Sequence, residues 1–241
     1  MSQVRRRQFL LAVGAGTLSV VLPALAQQAK MPRIGFIAAR SRPASLDADA
    51  YGGFVRGLRE LGYVEGKNIA IEWRFADGKY ERLPDLIAEL VQLKVDVILA
   101  AAAPAAVAAK QGTSTIPIVI GGVGDPVGIG LVAGLSRPGG NVTGVSNLVV
   151  DLSSKNLELL GTMVPKLSRV AVLVNPSGPI APLLVKQIQA AAKQAGLSVS
   201  VFEAGNQSQV ESAFGAALRA RAGGVIVAGD PYFFSQAREI A

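Results

Sequence analysis

Arg33-Ile34-Gly35-Phe36-Ile37-Ala38, entered through Pro32, is a short run of β-favouring and apolar residues with no charge after its first position, and the alternation it begins decides the fold. Outward from it, helical and β-rich runs take turns. A helix over 47–61 closes at Gly62, a strand over 69–75 ends at Asp77-Gly78, and a helix over 80–93 leads to a strand over 95–100. An Ala-rich helix over 104–111 opens with Pro104, which suits a first helical turn, and strands over 116–120 and 142–145 follow. Strands separated by helices are the signature of a parallel sheet covered on both faces.

From Asp151 the pattern starts afresh. A helix to Met163 precedes a strand over 170–174, a helix over 180–195 closed by Gly196, a strand over 197–202, a helix over 208–221, a strand over 224–228 and a helix opened by Pro231. The expected fold class is therefore α/β, with two Rossmann-like doubly wound lobes over 31–148 and 149–241. The first lobe continues past its third strand with helix and strand, whereas the second stops inside the equivalent helix. The second lobe is thus expected to be C-terminally incomplete and the chain poorly stable alone, since a sheet ended there leaves an open edge.

The 241 residues are 50% hydrophobic and 17% charged, with no Cys and no His. Disulfides, thiol chemistry, imidazole catalysis and the usual zinc sites are excluded, and no metal site or cofactor is expected. The formal charge of +7 owes three units to Arg5, Arg6 and Arg7; the remaining bases are scattered among acids. Without a basic stripe or interleaved aromatics, no nucleic acid is expected as partner. The glycines of Gly121-Gly122-Val123-Gly124 fit neither G-x-G-x-x-G nor a P-loop, so nucleotide hydrolysis is unsupported. No nucleophile stands beside a base as in G-x-S-x-G or S-x-x-K.

Residues 1–26 combine a basic start, an uncharged stretch from Phe9 and the small-x-small end Ala24-Leu25-Ala26. They are expected to be a secretory signal peptide cleaved near Ala26. Arg6-Arg7-Gln8-Phe9-Leu10 also matches the twin-arginine pattern, so the mature chain is expected in the periplasm, by either export route.

Ligands of open parallel sheets bind where strand carboxyl ends and helix N-termini converge. For two facing lobes that place is the cleft between them, entered by segments 39–43, 101–105, 121–127, 175–179 and 229–234. The candidate ligand-binding residues are Ala39 and Ser41; Ala103, Pro104 and Ala105 at a helix start; Asp125 and Pro126; Asn147; Asn175 and Ser177; and Asp230 and Phe233. Gly124-Asp125-Pro126 and Gly229-Asp230-Pro231 both place a carboxylate after a strand, where it could cap backbone N–H groups or meet a ligand ammonium. The helix opened by Pro104 offers free N–H groups to a carboxylate. Phe233 would cover an apolar part or fill the helix–sheet interface, and the asparagines would supply neutral hydrogen bonds or cap loops.

Several stretches carry a family resemblance. They include Pro32-Arg33-Ile34-Gly35-Phe36, the run from Gly57-Leu58-Arg59-Glu60-Leu61-Gly62-Tyr63 to Ile69, Glu72-Trp73-Arg74-Phe75, Gly124-Asp125-Pro126-Val127-Gly128, Arg137-Pro138-Gly139-Gly140-Asn141 and Asp230-Pro231. Together they resemble the ABC transporter substrate-binding proteins related to tryptophan- and tyrosine-binding importer components. The resemblance implies a type I periplasmic binding fold that closes on a small solute and presents it to a membrane permease, performing no chemistry. Ala102-Ala103-Pro104 departs from the Gly-Thr-Pro or Ser-Thr-Pro usual there, removing a hydroxyl.

The expected function is an exported solute-binding component of an ABC importer, a monomer taking a small amino-acid-like or partly apolar solute and closing about 147–151. The alternatives are a ligand sensor that passes closure to a receptor, and an exported carboxylate-dependent α/β enzyme.

Overall fold

Phe36 and Ala38 of β1 (Arg33–Ala38) point to one apolar layer and Ile37 to another, the two-sided burial expected of a central parallel strand. The computed structural model describes residues 31–46 and 49–240. The expected signal segment, with its twin-arginine match, lies outside these, as do Asp47, Ala48 and Ala241. Among the described residues no helix is long and apolar enough to cross a membrane.

The first sheet continues through α1 (Ala50–Glu60), β2 (Ala70–Phe75), α2 (Leu83–Gln92), β3 (Val97–Ala101), α3 (Ala102–Gly112), β4 (Ile118–Gly124) and β5 (Val142–Asn147). Its five strands are parallel, in the order β2-β1-β3-β4-β5. The crossovers put α1 on one face, where Tyr51, Phe54 and Leu58 pack on Phe36, and α2 and α3 on the other, where Leu86, Leu90 and Ala105 pack with Ile37. The strand order reverses between β1 and β3, which opens a crevice above their carboxyl ends.

The second half comprises α4 (Leu152–Met163), β6 (Arg169–Val174), α5 (Ala181–Ala195), β7 (Ser198–Glu203), α6 (Gln207–Arg219), β8 (Gly224–Val227), α7 (Pro231–Ser235) and α8 (Ala237–Ile240). The strands form a parallel three-stranded sheet ordered β7-β6-β8, the same left-then-right winding as β2-β1-β3. Val170, Val172 and Val174 face the layer of α5, and Leu173 faces the layer of α6. The architecture is two doubly wound α/β lobes.

Three elements differ from the sequence expectation for identifiable reasons. The helix expected from Tyr80 begins as a 3-10 turn, Tyr80–Arg82, and becomes α-helical only at Leu83, because Pro84 has no N–H to give the Tyr80 carbonyl. β4 runs on to Gly124 through a register shift between Gly121 and Val123, a bulge that Gly122 accommodates at φ +70°. The last helix divides at Gln236, where the Ser235 hydroxyl donates to the Tyr232 carbonyl at 2.6 Å and competes with the helical ladder.

The chain leaves the first sheet at Asn147 and enters α4 at Leu152. Val149, between them, touches both lobes. A Cβ added to Gly124, at the end of β4, would stand 2.6 Å from Val149 Cγ1, and one added to Gly229, just past β8, 2.5 Å from Val149 Cγ2. The two glycines are the sockets of one side chain. One apolar cluster joins Ile98 and Ile118 to Val172 and Ile188 and includes Val150 and Leu157.

Gly229→Ala is therefore expected to destabilise the protein by about 1–3 kcal/mol through overpacking. Adding Val149→Ala should recover part of that loss, because it removes the methyl that the new Cβ meets; thermal melts of the single and double variants check this.

Candidate ligand-binding site

The carboxyl ends of β1, β3, β4, β5 and β8 converge on a cavity of about 670 Å³ bordered by both lobes, within the range of small-molecule sites. Leu148, Val149, Leu152, Pro179, Ile180 and Phe234 line it with hydrocarbon, and Arg40, Asp49, Tyr51, Asn147, Asn156 and Asp230 supply polar groups. Ala102, Ala103 and Pro104 bring the first turn of α3 to its wall. No side chain caps that turn, so its free N–H groups are left for another acceptor. Ala102 enters the helix at φ +68°, a left-handed conformation costly for a residue with a Cβ.

The two carboxylates of the cavity are in opposite electrostatic states. Asp49 caps α1 by accepting from Tyr51 N at 3.0 Å and is gripped by both terminal nitrogens of the Arg40 guanidinium. Arg40 also donates to the Tyr51 hydroxyl at 2.9 Å and lies 4.1 Å from the centre of its ring. The hydrogen bond from Arg40 holds the Asp49 carboxyl below its ordinary value.

Asp230 is 5% exposed and makes no ion pair among the described residues. Its Oδ1 accepts from the Tyr80 hydroxyl at 2.7 Å, Tyr232 N at 2.9 Å and Asn175 Nδ2 at 3.0 Å. Its Oδ2 takes the space beside Gly178, where an added Cβ would come within 2.7 Å. Burial pushes the Asp230 carboxyl up, against the hydrogen bonds that favour its charge. Burial first, then the Asp230 charge, pushes the Tyr80 phenol well above its ordinary value, so it stays a neutral donor.

Of the candidates from sequence, Ala103, Pro104, Asn147 and Asp230 line the cavity. Asn175 is buried behind it and acts through Asp230, while its Oδ1 accepts from Ser177 N at 3.0 Å. Ala39 and Ala105 are core residues, Pro126 is buried beside another depression, and Ser41 does not reach the wall. Asp125 closes its own turn by accepting from Gly128 N at 2.8 Å. Phe233 is 4% exposed and fills the helix–sheet interface, whereas Phe234, 70% exposed, borders the cavity. Neighbours on a helix lie about 100° apart, so only one of the pair could face the cleft.

Sequence reasoning missed Arg40, Tyr51, Tyr80 and Asn156, and within the cleft segment 229–234 it singled out Phe233 where Phe234 borders the cavity. Arg40 lies in the segment expected to enter the cleft, and an arginine just past a central strand was its signal. Tyr80 had none, because its partner is 150 positions away.

A raised carboxyl holds its proton more tightly in the folded state, so its stabilising contribution is complete below the unfolded pKa, about 3.8, and is lost as pH rises through the folded value. The neighbouring phenols Tyr80 and Tyr232 are both raised and stay neutral across that window. Without ligand, Asp230→Asn is therefore expected to match the parent in acid and to melt higher than it at neutral pH. Melting temperature against pH for both proteins checks this.

Residues 34–240 match the family model described as ABC transporter substrate binding protein. A Clostridioides difficile (strain R20291) protein named tyrosine-binding protein is 35% identical over 162 residues, 67% of this chain and 46% of its own. The match thus spans about half the length of that curated relative. An ABC domain from Streptococcus pneumonia, solved in complex with L-Trp, is 27% identical with a TM-score of 0.75, covering 87% of this chain and 69% of its own. The ligand-free, open structure of a Clostridium difficile substrate binding protein with adhesive properties is 30% identical, at the same coverage, with a TM-score of 0.54. The two-lobed architecture is the type I periplasmic binding fold, and the chain belongs to the family of ABC transporter substrate binding proteins.

Proposed function

We propose that the chain is the exported solute-binding component of an ABC importer and that it holds an amino acid with an aromatic or other apolar side chain between its lobes. The observation that carries this is Asp230, a buried carboxylate at the cavity wall with three neutral donors and no cationic partner among the described residues. A ligand ammonium at Oδ2 would supply the missing charge, and such charge-assisted bonds are the strong ones in a desolvated site. The uncapped turn of α3, contributed to the cavity by the first lobe, suits the ligand carboxylate. Leu148, Leu152, Ile180 and Phe234 would enclose an apolar side chain.

The comparisons support this reading. Two of the three named relatives carry tyrosine or tryptophan in their descriptions. At equal coverage the fold lies nearer the L-Trp complex than the ligand-free, open structure, which supports a shut cleft; in the proposal the lobes cross near 147–151. A monomer delivering solute to a membrane permease, with no part in nucleic-acid binding, completes the proposal; the lobes would span 31–148 and 149–241, behind a signal cleaved near Ala26.

Titration calorimetry with L-tyrosine, L-tryptophan and their des-amino analogues tests it, after mass spectrometry of molecules released from the purified protein. One of the amino acids should bind, and its des-amino analogue should bind about tenfold or more weakly, as expected for losing a hydrogen bond to a charged group. Equal affinity for both forms would remove Asp230 from its role. Turnover of the bound molecule would point instead to an enzyme.

A further inference from the structure

We propose that Tyr80 is the positioning residue that ties ligand charge to lobe closure: carried by the first lobe, it gives its hydroxyl to Asp230 in the second only while the cleft is shut. The inference rests on the reading of Asp230 as the ammonium acceptor.

Of the three donors to Asp230 Oδ1, Asn175 and Tyr232 N belong to the second lobe and travel with the carboxylate. The Tyr80 hydroxyl, 2.7 Å away, comes from the turn after β2 and is the one donor that parting the lobes removes. The contact is built rather than incidental. Tyr80 packs on the apolar cluster of Leu173, Val210, Ala213 and Phe233 beneath α6, and its oxygen also accepts from Tyr232 N at 3.2 Å. Just before it, Gly78 keeps clear a space where a Cβ would stand 3.3 Å from the Tyr232 ring.

Two opposing contributions therefore meet at one carboxylate. Shutting an empty cleft strips water from Asp230 without providing a cation, which disfavours closure. The Tyr80 hydrogen bond and its ring burial favour closure and hold Oδ1, leaving Oδ2 for the ligand. Tyr80 so sets how far the empty protein closes and how long a bound ammonium stays.

Tyr80→Phe keeps the ring and removes only the hydroxyl. The chain has no cysteine, so Lys67→Cys and Ser208→Cys place one spin label on each lobe. Without ligand, the inter-label distance distribution of Tyr80→Phe should shift to longer values than the parent's. In stopped flow with L-tyrosine or L-tryptophan, whichever binds the parent, dissociation should quicken about tenfold or more while association changes little. A shift in the ligand-free distances with no amino acid bound by the parent would keep the latch and discard the solute reading. Unchanged distances, or dissociation unchanged in a parent that binds, would overturn the latch.

Discussion

Val149 seated between Gly124 and Gly229 is the contact on which the rest of the arrangement depends. The chain passes from one sheet to the other through this residue, and its two methyls stand where the Cβ atoms of those glycines would be. Such an approach brings the carboxyl ends of β4 and β8 to within one side chain of each other. Because parallel sheets gather loops and free helix N-termini at that end, drawing two such ends together creates a walled cavity. The extension of β4 through its glycine bulge belongs to the same constraint, since a strand ending at Ile120 would leave Val149 without its first socket.

The cavity contains a deliberate contrast. Asp49 has a guanidinium on both oxygens, and its charge is settled within the first lobe. Among the described residues Asp230 is bonded only to neutral donors, and burial drives it upward. Burying a carboxylate without a cation costs stability, which is why the proposed function gives Asp230 a ligand ammonium. Tyr80, Asn175 and the first turn of α7 lower that cost without cancelling it. On the proposed reading, the cationic and anionic ends of an amino acid would find different partners on different lobes, which is how a ligand can hold two lobes together.

Much of the fold was legible. Alternating runs, Gly196 closing α5 in a left-handed conformation at φ +67°, and Pro231 in the first turn of α7 are local signals with local causes. The places where the reading slipped are instructive: Pro84 delayed a helix by removing one donor, and a serine hydroxyl broke another. Gly124-Asp125-Pro126 and Gly229-Asp230-Pro231 show the limit. The same three residues at the same kind of strand end give one aspartate that merely closes its turn and another buried against the far lobe. Phe233 and Phe234 divide in the same way, one to the core and one to the cleft.

The sequence by itself determined the elements, their order, the two-lobed parallel winding and most of the segments that reach the cleft, because periodicity, caps and breakers act within a few residues of chain. Only the tertiary structure decided which side chains of those segments do anything. Whether a carboxylate is paired, desolvated or solvated depends on groups brought to it from 55 or 150 positions away. That information lies in how two sheets dock, and the docking rests on the space left by two glycines around one valine.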